Sequence, residues 1–141
     1  MKNERDNKLW QAYQATSYEA KTPMGKVSIR IGKQSPNVDR LLQANELSSW
    51  AFITAFNPGS QPLSPSKNAQ RHQQLLQDIA NLGLLAFEGA GVPYDPEGGP
   101  ETSLLILGIE RDVAIATGIK SGQNAIVVGV LGEAAELVSC K

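Results

Sequence analysis

"AFITAFNPGSQPLSPSKNAQRHQQLL", Ala51 to Leu76, passes through three kinds of local structure in one run. Its first residues are aromatic and β-branched, the composition of a buried strand. Asn57-Pro58-Gly59 is a turn signal, because Pro presets one backbone angle and Gly and Asn tolerate positive φ. Ser64-Pro65 then opens a helix, with a hydroxyl to cap a free N–H and Pro at the position whose N–H has no partner. The strand is expected at about 49–56 and the helix at about 65–82, closed by Gly83.

The pattern continues outward in both directions. Downstream, Leu84 to Phe87 predicts a short strand and "EGAGVPYDPEGGPE", 88–101, a long loop. Ser103 to Leu107 predicts a strand, about 110–120 a helix, Asn124 to Val130 a strand, and Glu136 to Ser139 a last short strand. Segment 49–130 therefore reads β-α-β-β-α-β, the order of a split βαβ or ferredoxin-like motif. Upstream, Leu9, Trp10 and Tyr13 mark a helix at about 5–16, and Tyr18–Ala20 and Lys26–Ile31 a hairpin around Pro23-Met24-Gly25. "SPNVDRLLQ" opens a short helix with Ser35 as N-cap and Pro36 at N1.

The expected fold is thus α+β: a βαββαβ, ferredoxin-like sheet core with an N-terminal helix and hairpin extension. The runs "LLIL" and "AIVV" do not alternate, so their strands are buried on both faces. A ferredoxin-like sheet carries helices on one face only. The other face is therefore expected to meet the N-terminal helix or a second subunit. A three-layer α/β arrangement is the alternative.

Bulk properties narrow the function classes. At 141 residues the chain reads as one domain, 1–141. A domain of that size buries roughly 70% of its unfolded surface and needs no staple. The formal charge of -1 argues against a protein held by nucleic-acid phosphates. Charge is uneven, with eight Lys/Arg against four Asp/Glu in residues 1–40 and three against eight in residues 87–141. That pattern suggests ends that lie close or pair between subunits. The lone Cys140 sits near the C-terminus, expected to be frayed and incidental. "MKNERDNKLW" lacks the apolar core of a secretion signal, and no run of 18 apolar residues occurs, so a cytoplasmic location is expected.

Placed at about 100° per residue, Leu75, Ile79 and Leu82 define the buried stripe of the 65–82 helix. Gln70, Gln73, Gln74 and Gln77 fall opposite. Asn68 and His72 fall on the buried stripe, and Arg71 on its flank. A helix start also offers free N–H groups and the positive end of the dipole. Gly59 allows close backbone approach, and Ser60, Ser64 and Ser66 supply hydroxyls. Asn57, Gly59, Ser60, Ser64, Ser66, Asn68, Arg71 and His72 are therefore the candidate ligand-binding residues, suited to a phosphate or carboxylate. The spacing is not that of a P-loop or of GxGxxG. Caps and turns account for much of the same stretch: Asn68 as a loop brace, Arg71 snorkelling at the core edge, His72 as a hydrogen-bonded structural residue.

Loop 88–101 is a weaker candidate. Glu88, Asp95, Glu97 and Glu101 stand among glycines, but without EF-hand spacing, so a solvated loop or a lid over the 57–72 site is expected and no metal is assigned. Gln123 and Asn124 open the last core strand and either satisfy backbone or reach a ligand. No catalytic residue is assigned, because His72, Glu88 and a serine form a set only if all three lie within hydrogen-bond reach.

The strings "LWQAYQATSYEA", "SSWAFITAFNPGSQPLSPSKNAQRHQQLL" and "ETSLLILGIERDVAIATGIKSGQNAIVVGV" together resemble the bacterial proteins of domain of unknown function family 3293. The resemblance spans nearly the whole chain and implies a small bacterial cytosolic domain. It carries no assigned chemistry. His72 stands where the family motif usually has Asn, which weighs against it as a family-wide base and favours Asn57, Ser60, Asn68 and Arg71. The functional expectation is a domain that binds an anionic or nucleotide-like small molecule at 57–72, with no cofactor. The alternative is a protein-interaction or homo-oligomerisation module without catalysis. Neither a membrane nor a nucleic-acid partner is expected.

Overall fold

The computed structural model describes residues 4–93 and 100–141, with side chains from residue 8 onward. The described residues form an α+β fold with four α-helices and one seven-stranded antiparallel sheet. In chain order these are α1 (Glu4–Gln14), β1 (Ser17–Thr22), β2 (Gly25–Ile29), α2 (Pro36–Ala44), β3 (Ser49–Thr54), α3 (Pro65–Asn81), β4 (Leu85–Val92), β5 (Glu101–Leu107), α4 (Arg111–Lys120), β6 (Ala125–Val130) and β7 (Glu136–Ser139). The strand order is β2-β1-β4-β5-β3-β6-β7. The four strands expected as the core lie side by side as β4-β5-β3-β6, and the sheet is larger than those four.

Strand parity sorts the core. On β3, Trp50 and Phe52 face one side, Ala51 and Ile53 the other, where Ala55 joins them just past the strand end. On β5, Leu105 and Leu107 go with Trp50, and Leu104 and Ile106 with Ala51. One face is covered by α3 through Leu75 and Ile79 and by α4 through Ala114. The opposite face is covered by Val38, Leu41 and Leu42 of α2, together with Tyr18, Val27 and Ile29 of the β1–β2 hairpin. Helices therefore stand on both sides of the sheet. The two-sided apolar strands are accounted for within one chain.

The two edges also approach each other. Ile31, just after β2, bridges in parallel to Ala135, just before β7. The Gly32 N–H donates to Ala135 O at 2.8 Å and the Ala135 N–H to Lys33 O at 3.0 Å. The sheet is thus curled at this end, with α2 against its inner face. The basic first quarter of the chain and its acidic last third are neighbours at this seam, where Asp39 accepts from the Gly132 N–H at 3.0 Å.

Ser35 is the N-cap residue of α2 with Pro36 in its first turn, as expected, though its hydroxyl donates to Ser28 O at 3.3 Å rather than capping. Two local expectations are corrected. Strand β4 runs on to Val92 and β5 begins at Glu101, because both pair with neighbours over their full length, so Glu88 and Glu101 are strand residues. Asp95, Glu97, Gly98 and Gly99 lie outside the described residues. Cys140 is not frayed: its N–H donates to Asn124 O at 2.9 Å and its thiol is buried against Gly118, with its pKa raised by desolvation. Among the described residues no helix is long and apolar enough to cross a membrane.

Candidate functional site

The loop after β3 is organised by two asparagines. Asn57 has left-handed backbone angles (φ 47, ψ 62), a conformation Asn tolerates better than most residues. Its N–H donates to Asn68 Oδ1 at 2.9 Å, and Asn68 Nδ2 returns a bond to Asn57 Oδ1 at 2.9 Å. Asn57 Oδ1 also accepts from the Leu63 N–H at 3.0 Å. Ser64 caps α3 by accepting from the Lys67 N–H at 3.2 Å. The Gly59 N–H donates to Gly122 O at 2.7 Å, which ties this loop to the one before β6. Gly122 itself is required, since φ is +73° and a Cβ would sit 2.6 Å from Pro58 Cβ.

Arg71 fastens the same junction from below. Its Nε donates to Ala55 O at 2.9 Å and its Nη2 to Ser121 O at 2.7 Å. His72 Nε2 lies 3.0 Å from Glu88 Oε1, while its ring meets Phe56 edge-on and its Nδ1 is buried without a hydrogen bond. Asn68, Arg71 and His72 thus continue the buried stripe by bonding to the protein. Ser66 is exposed on the first turn of α3.

A cavity of about 260 Å³ opens on the other face of the sheet. Phe52, Tyr18 and Val127 form its apolar floor, Leu9, Ala12 and Tyr13 of α1 cover it, and Asn57 and Ser60 stand at its rim. Polar strand ends complete it: Thr54 of β3, Ser103 and Glu101 of β5, and Gln123 just before β6. Thr54 and Ser103 are direct partners in the β3–β5 ladder, so these ends converge at one end of the sheet. Gly91 of β4 keeps the space open; a Cβ there would reach only to 3.6 Å from Thr16 and Tyr18.

The mouth of the cavity is polar and partly desolvated. Asn57 Nδ2 donates to Glu101 Oε2 at 2.8 Å. Burial raises the Glu101 pKa, and the Asn57 bond partly offsets that by stabilising the carboxylate. Tyr13 is raised as well, first by desolvation and then by the charge of Glu101, while Ser60 and Asn124 bonds pull it down. Asn124 Nδ2 donates to Ser60 Oγ at 3.0 Å, and its Oδ1 is buried without a partner. The backbone of α1 is held by the Tyr18 hydroxyl, which donates to Tyr13 O at 3.1 Å. Among the described residues no three His, Cys, Asp or Glu side chains cluster as metal ligands.

Of the eight residues expected to bind a ligand, Asn57 and Ser60 line this cavity. Asn68 braces Asn57 from behind, and Gly59 and Ser64 hold the loop. Arg71, His72 and Ser66 do not line the cavity. Sequence reasoning missed Thr54, Gly91 and Ser103, and did not join Tyr13, Glu101 and Gln123 to one site. A signal existed: "SWAFIT" ends polar whereas "ETSLLIL" and "QNAIVV" begin polar, and antiparallel neighbours bring those ends together.

The family described as "Protein of unknown function (DUF3293)" matches residues 53–126. That stretch holds the rim and strand ends of the cavity, from Thr54 through Asn57 and Glu101 to Gln123. No curated protein and no solved structure gives a significant match to the chain.

Proposed function

Because the chain belongs to the DUF3293 family, whose description leaves the chemistry open, the site must speak for itself, and we propose that the protein binds a small molecule in the cavity beneath α1. The observation that carries this reading is the convergence of polar groups, a half-buried carboxyl among them, over an apolar floor in one cavity. The expected anionic or nucleotide-like ligand would draw on Arg71, whose guanidinium is engaged by two backbone carbonyls. Asn57 and Ser60 instead carry the sequence expectation into the cavity. The homo-oligomer alternative draws no support from the sheet faces, which α2 on one side and α3 and α4 on the other already cover.

A ferredoxin-like core, β3-α3-β4-β5-α4-β6 enlarged by β1–β2 and β7, goes with this reading and is supported by the order β4-β5-β3-β6. The bacterial setting comes from the family resemblance alone, and the cytoplasmic one from that resemblance and from the N-terminal sequence, which lacks the apolar core of a secretion signal. Gly91→Val tests the site by filling it. A thermal-shift screen of small metabolites should find compounds that stabilise the wild type and leave Gly91→Val unmoved. Compounds that stabilise both proteins equally would place binding elsewhere.

A further inference from the structure

Resting on the cavity as the binding site, we infer that its ligand is an organic cation, a primary ammonium on an aromatic or alkyl body, with the ammonium against Glu101. The sign of the site comes first. Among the described residues its lining includes Glu101 and no Lys, Arg or His. A carboxylate ligand would meet a like charge, with no cation among the described lining residues to neutralise it.

Hydrogen-bond polarity points the same way. The Thr54 hydroxyl donates to Thr102 O at 2.7 Å and the Ser103 hydroxyl to Glu101 O at 2.8 Å, so each has given away its one proton. Gln123 Nε2 donates to Phe56 O at 3.0 Å and Ser121 O at 3.3 Å, which uses both amide hydrogens. Thr54 Oγ1 already accepts from the Phe56 N–H at 3.0 Å. What these groups still offer is their remaining oxygen lone pairs, and an ammonium brings three donors and no acceptor.

Among the described residues the carboxyl also lacks a charged partner. Glu101 accepts one neutral amide hydrogen bond, from Asn57, and is partly desolvated. A cation seated there restores what burial costs the ionised form. Size limits the body. An apolar cavity of about 150 Å³ holds a benzene ring. The space of about 260 Å³ over Phe52, Tyr18 and Val127 therefore suits one ring with a short aminoalkyl arm.

The test is calorimetry of the full chain with three matched probes: 2-phenylethylamine, 2-phenylethanol and 3-phenylpropanoate. The amine should bind at least tenfold more tightly than the alcohol, and the carboxylate not measurably. Glu101→Gln should remove most of the amine's advantage and leave the alcohol unchanged. On the wild type, amine affinity should fall as pH drops through the Glu101 titration. The titratable groups facing Glu101 from neighbouring elements, Tyr13 of α1 and Tyr18 of β1, are both raised and stay neutral there. This wild-type profile keeps the inference testable if Glu101→Gln does not fold. Equal binding of all three probes, or preference for the carboxylate, overturns the cation and leaves the cavity standing. Amine binding that survives Gly91→Val, or no binding of any probe together with metabolites that stabilise the wild type and Gly91→Val alike, removes the cavity reading itself.

Discussion

The two faces of the sheet both bury polar side chains, and they use them in opposite ways. On the face under α3, Asn68 and Arg71 spend their bonds on backbone and on Asn57, closing a junction between two loops. On the face under α1, Glu101 lines empty space and accepts one amide hydrogen bond, and Asn124 nearby keeps a buried oxygen without a partner. The first pattern is bracing, the second is capacity. A polar residue on a buried stripe therefore says little until its partners are counted.

The sharpest way to break this contrast is Arg71→Ala. It takes a charged donor from two carbonyls, and should cost about 3 kcal/mol in urea unfolding, with Arg71→Lys rescuing poorly because an ammonium lacks the fork. A loss below about 0.5 kcal/mol would mean the guanidinium is not structural after all. Asn57→Ala should come next, at about 2 kcal/mol, since Leu63 N–H and Asn68 lose their acceptor and the left-handed backbone loses a tolerant side chain. That variant touches both regions, so it should weaken stability and ligand binding together. Gly91→Val should shift stability by only about 1 kcal/mol, because β4 is extended and Val favours strands, while abolishing any ligand effect.

Glu101→Gln should have the smallest effect, visible as a pH slope. Glu101's folded pKa is raised above its ordinary 4.5, so its favourable contribution is complete below that pH. It is lost as pH rises through the folded value. The variant should therefore match the wild type at pH 4 and gain on it in melting temperature toward pH 8. A gap that is constant with pH would show that Glu101 is not desolvated by the cavity.

Most elements were legible because their signals are local. Ser64-Pro65, Gly83 and the unbroken apolar runs of β5 and β6 specify where elements start, stop and are buried. The βαββαβ order followed from them. What covers the second face was legible only in part: α1 lies over Phe52 and Tyr18 as expected, but the role of α2 depends on the sheet curling over Val38 and Leu42, a long-range event. The site divided the same way. The 57–72 loop announced itself through turn residues and a broken stripe. The cavity did not, since Tyr13, Thr54, Glu101 and Gln123 meet only through register and a helix laid across strand ends. For Arg71, wheel geometry gave the direction and not the identity of the acceptors waiting there, two backbone carbonyls.

The bridge between Ile31 and Ala135 has a consequence for how this molecule meets others. A sheet edge with unpaired N–H and C=O groups is a template onto which a foreign strand can add, the first step of many aggregates. Here the two edges, β2 of five residues and β7 of four, are short, and one end of each leads into the other's flank. A strand adding to β7 would run into Ile31 to Lys33, and one adding to β2 would meet Ala135. By turning its edges toward each other the sheet guards itself against intermolecular strand addition without sealing the barrel that a full closure would require.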